Sequence, residues 1–246
     1  MRIGVVVFPG SNCDADTMHG LRVAGAEPVE LWHETADLQG AAAVVLPGGF
    51  AYGDYLRAGA IARFSPVMRA VAEFAGRGGM VLGICNGFQV LAEAGLVPGA
   101  LLRNRSLRFA GREVSIAAQT ADSPFTLGVP LGRPLRMPIA HGEGCYYADE
   151  ATLDELDRTG RVLFRYVDAD GRVAVDPDDP ANPNGSVRAI AGVANRAGNV
   201  AGLMPHPERA AELLLGSDDG LLILRALVES AAAQPTSGRP SAVIVG

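Results

Sequence analysis

Lysine is absent: all 21 basic residues of this 246-residue chain are arginine. A phosphate-binding loop of the G-x-x-x-x-G-K-[ST] type needs a lysine, and so does a Schiff base with a carbonyl substrate or pyridoxal phosphate, so neither chemistry can be housed here. Any ATP-driven step therefore belongs to another chain or to an unrelated kind of nucleotide site. Cysteine is scarce as well. Cys13, Cys85 and Cys145 are odd in number and lack C-x-x-C spacing, which makes neither a disulfide framework nor a zinc site and fits a reducing cytoplasm. No apolar run approaches the roughly 18 residues of a membrane span. The N-terminal run Ile3 to Phe8 is too short for a signal sequence and meets the turn Pro9-Gly10-Ser11-Asn12 at once. Net positive charge is missing too. A formal charge of −6 and a pI near 5.2 give no basic face for a nucleic-acid partner, and the densest basic group, Arg103, Arg105 and Arg108, reads as a solvated loop.

What is present is enough apolar residue, 48%, to bury one sizeable core. The first half alternates short apolar runs with helical patterns. Arg2 to Phe8, Pro28 to Trp32, Ala42 to Leu46 and Met80 to Ile84 read as strands, and their continuous apolar character implies parallel pairing with both faces covered. Between them, Ala15 to Ala24, capped by Asn12 or Asp14, Ile61 to Arg77 and Asn86 to Ala94 read as helices. From Arg112 onward the pattern changes to strands at Glu113 to Ala117, Leu135 to Ile139, Val162 to Val167, Val187 to Val193 and Asn199 to Met204, which extend or cap the sheet. The Asp-, Pro- and Asn-rich segment Asp176 to Gly185 marks a loop, and a last helix spans Asp218 to Ala232. The expected fold class is α/β, a mostly parallel central sheet flanked by helices with additional strands from the second half. One domain should cover residues 1–232, followed by a flexible tail at 233–246.

The segment Gly83-Ile84-Cys85-Asn86-Gly87 puts a cysteine where an apolar strand ends and a helix begins. A nucleophile shown at such a sharp turn, exposed atop the sheet, takes a strained backbone and needs small neighbours so that strand and helix can pass closely. The helix N-terminus favours thiolate over thiol there. A free cysteine is more often a small buried hydrophobe; that reading suits Cys13 and Cys145, whereas the flanking glycines set Cys85 apart. A second signal is Met204-Pro205-His206-Pro207-Glu208. A cysteine nucleophile wants an imidazole to take and return its proton, and the imidazole wants a carboxylate to fix its tautomer. His206 and Glu208 supply both, while the two prolines hold the histidine out of helix and ladder. A third is Pro47-Gly48-Gly49 after a parallel strand, whose amides, with that of Asn86, can form an oxyanion hole.

These residues resemble the class I, triad-type glutamine amidotransferases, and within them the glutaminase subunits of the phosphoribosylformylglycinamidine synthases of purine biosynthesis. The likeness runs over nearly the whole chain: FPGSNCD at 8–14, PGGFAYGDYLRAGAIA at 47–62, GICNGFQVLAEAGLVPGAL at 83–101, AHGEG at 140–144, NPNGS at 182–186 and MPHPERA at 204–210. Ala51 departs from the family's serine, and for Cys13, in the SNCD block, packing and a place on a loop lining the substrate or subunit contact both stay open. The resemblance implies that Cys85 is the nucleophile, His206 the general base and acid, and Glu208 the carboxylate that orients it. It implies further that Gly49 and Asn86 give the oxyanion amides, that Gln89 helps hold glutamine, and that no metal or cofactor sits on this chain. Ammonia would pass to a large synthetase subunit, which carries the ATP and Mg, with a small third subunit joining the two. For His141 and Glu143 a hydrogen-bonded turn and a place in the binding site both stay open. Competing readings are a glutaminase of another synthase, a cysteine peptidase, or a non-catalytic regulatory subunit of the same fold; the last is expected to lose Cys85, His206 or Glu208, and all three are present.

Overall fold

The computed structural model describes residues 1–234. The predicted tail at 233–246 therefore lies almost entirely outside the described residues. In chain order the elements are β1 (Arg2–Val7), α1 (Asp14–Val23), β2 (Glu27–Trp32), β3 (Ala43–Leu46), α2 (Pro66–Gly76), β4 (Met80–Ile84), α3 (Asn86–Glu93), β5 (Ala100–Leu102), β6 (Ala110–Ala118), β7 (Leu135–His141), β8 (Cys145–Tyr147), α4 (Glu150–Arg158), β9 (Val162–Val167), β10 (Ile190–Ala194), β11 (Val200–Leu203) and α5 (Asp219–Ala233).

Nine strands form one sheet in the order β2-β1-β3-β4-β11-β10-β9-β6-β7, and β5 pairs with β8 in a small separate ribbon. Strands β1 to β4 and β11 are mutually parallel; the pairs from β11 outward to β7 are antiparallel. The parallel core is where apolar runs lack alternation: β3 and β4 are buried along their full length, because helices cover both faces. Pro28 is tolerated because β2 is an edge strand. A continuous buried cluster reaches from Ile3 to Ala231.

The strand order places the site. It reverses direction between β1 and β3, and right-handed crossovers then put α1 and α2 on opposite faces, leaving a crevice at the carboxyl ends of the strands. The turns after β1, β3, β4 and β11 all open there. Four antiparallel reversals from β11 to β7 restore the direction, so β7 also ends, at His141, on this edge.

Three sequence expectations need correction. The helix expected over Ile61 to Arg77 is broken into a 3-10 turn at Ala62–Phe64 and α2, because Pro66 drives Ser65 to an extended ψ of 146°. The strand expected from Val187 begins only at Ile190, after a 3-10 turn in which Arg188 has φ 52°. Helix α1 starts behind Cys13 with no side-chain cap, not behind Asn12 or Asp14. The sequence reading also missed β5, β8 and α4; the last is announced by Asp149, whose carboxylate accepts from the Thr152 N–H at 2.7 Å.

Candidate active site

The strand-to-helix turn after β4 is strained at its tip. Cys85 has φ 50° and ψ −106°, a backbone state that a non-glycine residue holds only where surrounding packing enforces it. The flanking glycines show how. A Cβ on Gly83 would lie 2.7 Å from the Gly87 backbone, and one on Gly87 would lie 2.0 Å from the Leu46 carbonyl oxygen. Helix α3 thus leaves β4 and passes β3 at a separation no side chain allows. The thiol is covered rather than exposed: Cys85 is 4% accessible, and its Sγ contacts the Ala140 carbonyl at 3.6 Å.

His206 follows β11 and is fixed by its backbone N–H, which donates to the Pro138 carbonyl of β7 at 2.9 Å. Its Nδ1 meets Glu208 Oε1 at 2.5 Å, with both side chains buried. Burial opposes charge on the ring, but the Glu208 carboxylate, followed by Cys85 and Cys13, outweighs it and holds the imidazole well above the ordinary histidine value. Cys85 is thus among the groups that favour a proton on the ring, although Nε2 makes no aligned hydrogen bond. Such bonds commonly tighten only when substrate arrives. The fold thus brings together thiol, imidazole and carboxylate from turns more than a hundred residues apart.

Gly49, at φ 147°, packs where a Cβ would sit 2.9 Å from the Asn12 backbone nitrogen. Neither its N–H nor that of Asn86 donates to any acceptor among the described residues. The two turns are tied together: Asn86 Oδ1 accepts from the Ala51 N–H at 3.0 Å, and Asn86 Nδ2 donates to Asp54 Oδ1 and to Gln89 Oε1. Gln89 in turn donates from Nε2 to the Glu143 carbonyl oxygen at 2.6 Å. A cavity of about 170 Å³ is lined by Gly49, Asp54, Cys85, Gln89, His141 and Glu143, among others. Gly49, Cys85, Gln89, His141 and Glu143 thus border this cavity and Asn86 bonds to two residues that do, whereas His206 and Glu208 are not part of its lining. Burial, partly countered by the Asn86 hydrogen bond and reinforced by Glu143, pushes Asp54 up to about 6. His141 is pushed down to about 4, by burial and then by His206.

Cys13, for which packing and a place on a loop lining the substrate or subunit contact were both open, lies beside His206 and Glu208. Its Sγ lies with ligand atoms of His206 and Glu208 inside a span of 4.8 Å, and it accepts from the Arg209 guanidinium at 3.1 Å. This is the one grouping among the described residues whose spacing could hold a metal ion. The guanidinium on the sulfur and the bond between His206 and Glu208 already engage it, and an adjacent positive charge disfavours a cation. Cys13 ends the turn after β1 and thus reaches the crevice by topology, a placement invisible until strand order is known. Asn104, which bonds His141, was hidden among the arginines of a loop that reads as solvated.

The CobB/CobQ-like glutamine amidotransferase domain family matches residues 1–217. The chain is 57% identical over 231 residues to phosphoribosylformylglycinamidine synthase subunit PurQ of Rubrobacter xylanophilus, covering 94% of this chain and 99% of that protein. The chain belongs to the PurQ family of glutamine amidotransferases. A second PurQ, from Salinibacter ruber, is 55% identical over 92% of this chain and 95% of its own length. Among solved structures, a chain of PurLQS from Thermotoga maritima superposes with a TM-score of 0.80 at 42% identity, covering 93% of this chain and 97% of that one. A glutamine amidotransferase from the same organism, at 17% identity and a TM-score of 0.57, shares the fold. Membership in the PurQ family accounts for the mixed sheet with its parallel core and makes this chain a glutaminase subunit.

Proposed function

We propose that this chain hydrolyses glutamine through a thioester on Cys85 and delivers the ammonia to a synthetase that converts formylglycinamide ribonucleotide to its amidine. The carrying observation is the convergence of Cys85 on a strained turn with a buried imidazole whose other nitrogen is held by Glu208 at 2.5 Å. Cys85 Sγ attacks the carboxamide carbon as the thiolate, with the proton already held on His206. The Gly49 and Asn86 N–H groups hold the oxyanion, and Gln89 braces the cavity wall. His206 returns the proton to the departing nitrogen, ammonia leaves, and water activated by His206 releases glutamate.

The PurLQS assembly of the Thermotoga relative supports partners of two kinds for this chain: a large synthetase subunit, which carries the ATP and Mg, and a small third subunit. Apolar side chains near the cavity mouth fit a covered face. Phe50 and Phe109 line the cavity, and Tyr55, Leu56 and Leu107 in the same segments are 72%, 82% and 77% exposed. Among the described residues no helix is long and apolar enough to cross a membrane, in keeping with work in the cytoplasm.

The test is ammonia release and amidine formation in the reconstituted complex. Cys85→Ser should abolish synthesis from glutamine and leave synthesis from added ammonia. Full glutamine-dependent activity in Cys85→Ser rejects the assignment.

A further inference from the structure

His141 has a hydrogen-bonding inventory that does not close. It ends β7, is 3% exposed, and places Nδ1 3.1 Å from Asn104 Oδ1. The orientation of that amide is settled by its other bonds. Asn104 Nδ2 donates to the carbonyl oxygens of Arg108 and His141 at 2.9 and 2.8 Å, and Oδ1 accepts from the Gly144 N–H at 3.0 Å. A flipped amide would set donor against donor at Gly144 and oxygen against oxygen at two carbonyls. Nδ1 must therefore carry the ring proton, which leaves Nε2 as a bare acceptor. That atom is buried and has no partner. Neither can it turn away: the ring lies on Gly144, where a Cβ would be 2.6 Å from Nε2.

A buried acceptor without a donor is destabilising, and a fold keeps one where some other group supplies the missing donor. His141 lines the same cavity as Cys85, Gly49 and Gln89. We propose that His141 Nε2 accepts an N–H of the substrate carboxamide and holds the departing nitrogen while His206 protonates it. The inference rests on the glutaminase reading above. In the tetrahedral intermediate the nitrogen has two N–H bonds and one lone pair. Nε2 takes one N–H, so the lone pair is left to receive the proton from His206; the C–N bond breaks, the carbonyl re-forms on the Cys85 thioester, and neutral ammonia departs. His141 exchanges no proton in this step. Being uncharged at neutral pH, with its pKa pushed down to about 4, it neither protonates the ammonia nor repels a developing ammonium.

The test compares leaving groups in the reconstituted complex. Glutamine offers N–H bonds on its leaving atom, whereas the γ-methyl ester of glutamate offers none. His141→Phe keeps a ring and loses the acceptor. It should lower kcat/KM for glutamine roughly ten- to a hundredfold while that for the ester stays within about threefold, the ester rate also reporting that the site is folded. Equal losses on both substrates, or an unchanged glutamine rate, overturn the proposal. If His141→Phe does not fold, histidine 15N spectra of the full-length Cys85→Ser chain decide: an unprotonated Nε2 signal should move on binding glutamine and hold still on binding the ester. A protonated Nε2, or the same movement with both ligands, also overturns it. Glutamine turnover by Cys85→Ser would instead sink the underlying glutaminase reading.

Discussion

Asp54 stands in the cavity wall with its carboxyl pushed from 3.8 to about 6, by burial first, against the Asn86 hydrogen bond and with the help of Glu143. A carboxyl with a raised native pKa costs stability. Between the two values the native state keeps a proton that the unfolded state has lost, so stability falls as pH rises through that window, and above about 6 the full cost is present. The shift corresponds to about 3 kcal/mol at 1.36 kcal/mol per unit; because the group is only half-buried, solvent screening reduces this to ~1 kcal/mol. Asp54→Asn preserves an oxygen for Asn86 Nδ2 and removes the charge. Urea unfolding of both proteins at several pH values between about 3 and 8 should show almost no advantage for the variant at the acid end, below the unfolded value of 3.8, and a gain of ~1 kcal/mol at neutral pH. Titrations not coupled to Asp54 are common to the two proteins and cancel in the difference. A gain that is independent of pH, or a loss at neutral pH, refutes the reasoning.

Glu208→Gln should reduce kcat for glutamine by roughly a thousandfold or more, since the amide can offer the imidazole an N–H in place of a carboxylate oxygen and no longer fixes its tautomer; steady-state rates across pH should also place the basic limb lower. Because Glu208 holds the His206 proton in the folded state, that stabilisation is complete below 6.5 and fades as pH rises through the higher native value. Melts of Glu208→Gln should have lost this dependence. Gly87→Ala forces α3 away from the Leu46 carbonyl, 2.0 Å from the new carbon, and should destabilise by ~3 kcal/mol, measurable as a lowered Tm together with lost activity. A Tm unchanged by that substitution would mean that the close passage of α3 over β3 is not what holds the turn.

The elements that carry chemistry were the easiest to read from the sequence, and for a physical reason. Met80 to Ile84 is apolar throughout because β4 is covered on both faces, and Gly83 and Gly87 flank Cys85 because no other residue fits there. Such constraints leave local marks. What the sequence concealed depends on assembly. Cys13 is unremarkable until the reversal of strand order sets the turn after β1 against the turn after β3, where its N–H meets the Gly48 carbonyl at 3.3 Å. Asn104 owes its importance to Gly144 and His141, some forty residues away. The break at Ser65 was announced by Pro66 and overridden by the amphipathic period on either side. Helix α4 shows a polar face too dominant for its few buried residues, Leu153 and Leu156, to declare it.

The account stands on a covalent bond between the Cys85 sulfur and the γ-carbon of the substrate. Acid-quenched mass spectrometry of the chain during turnover with glutamine, in complex with the synthetase, measures it directly. The peptide containing Cys85 should carry one glutamyl group, removable by hydroxylamine, and the peptides containing Cys13 and Cys145 should carry none. Active enzyme with the glutamyl group on Cys13, or turnover at full rate with Cys85 chemically blocked, contradicts it.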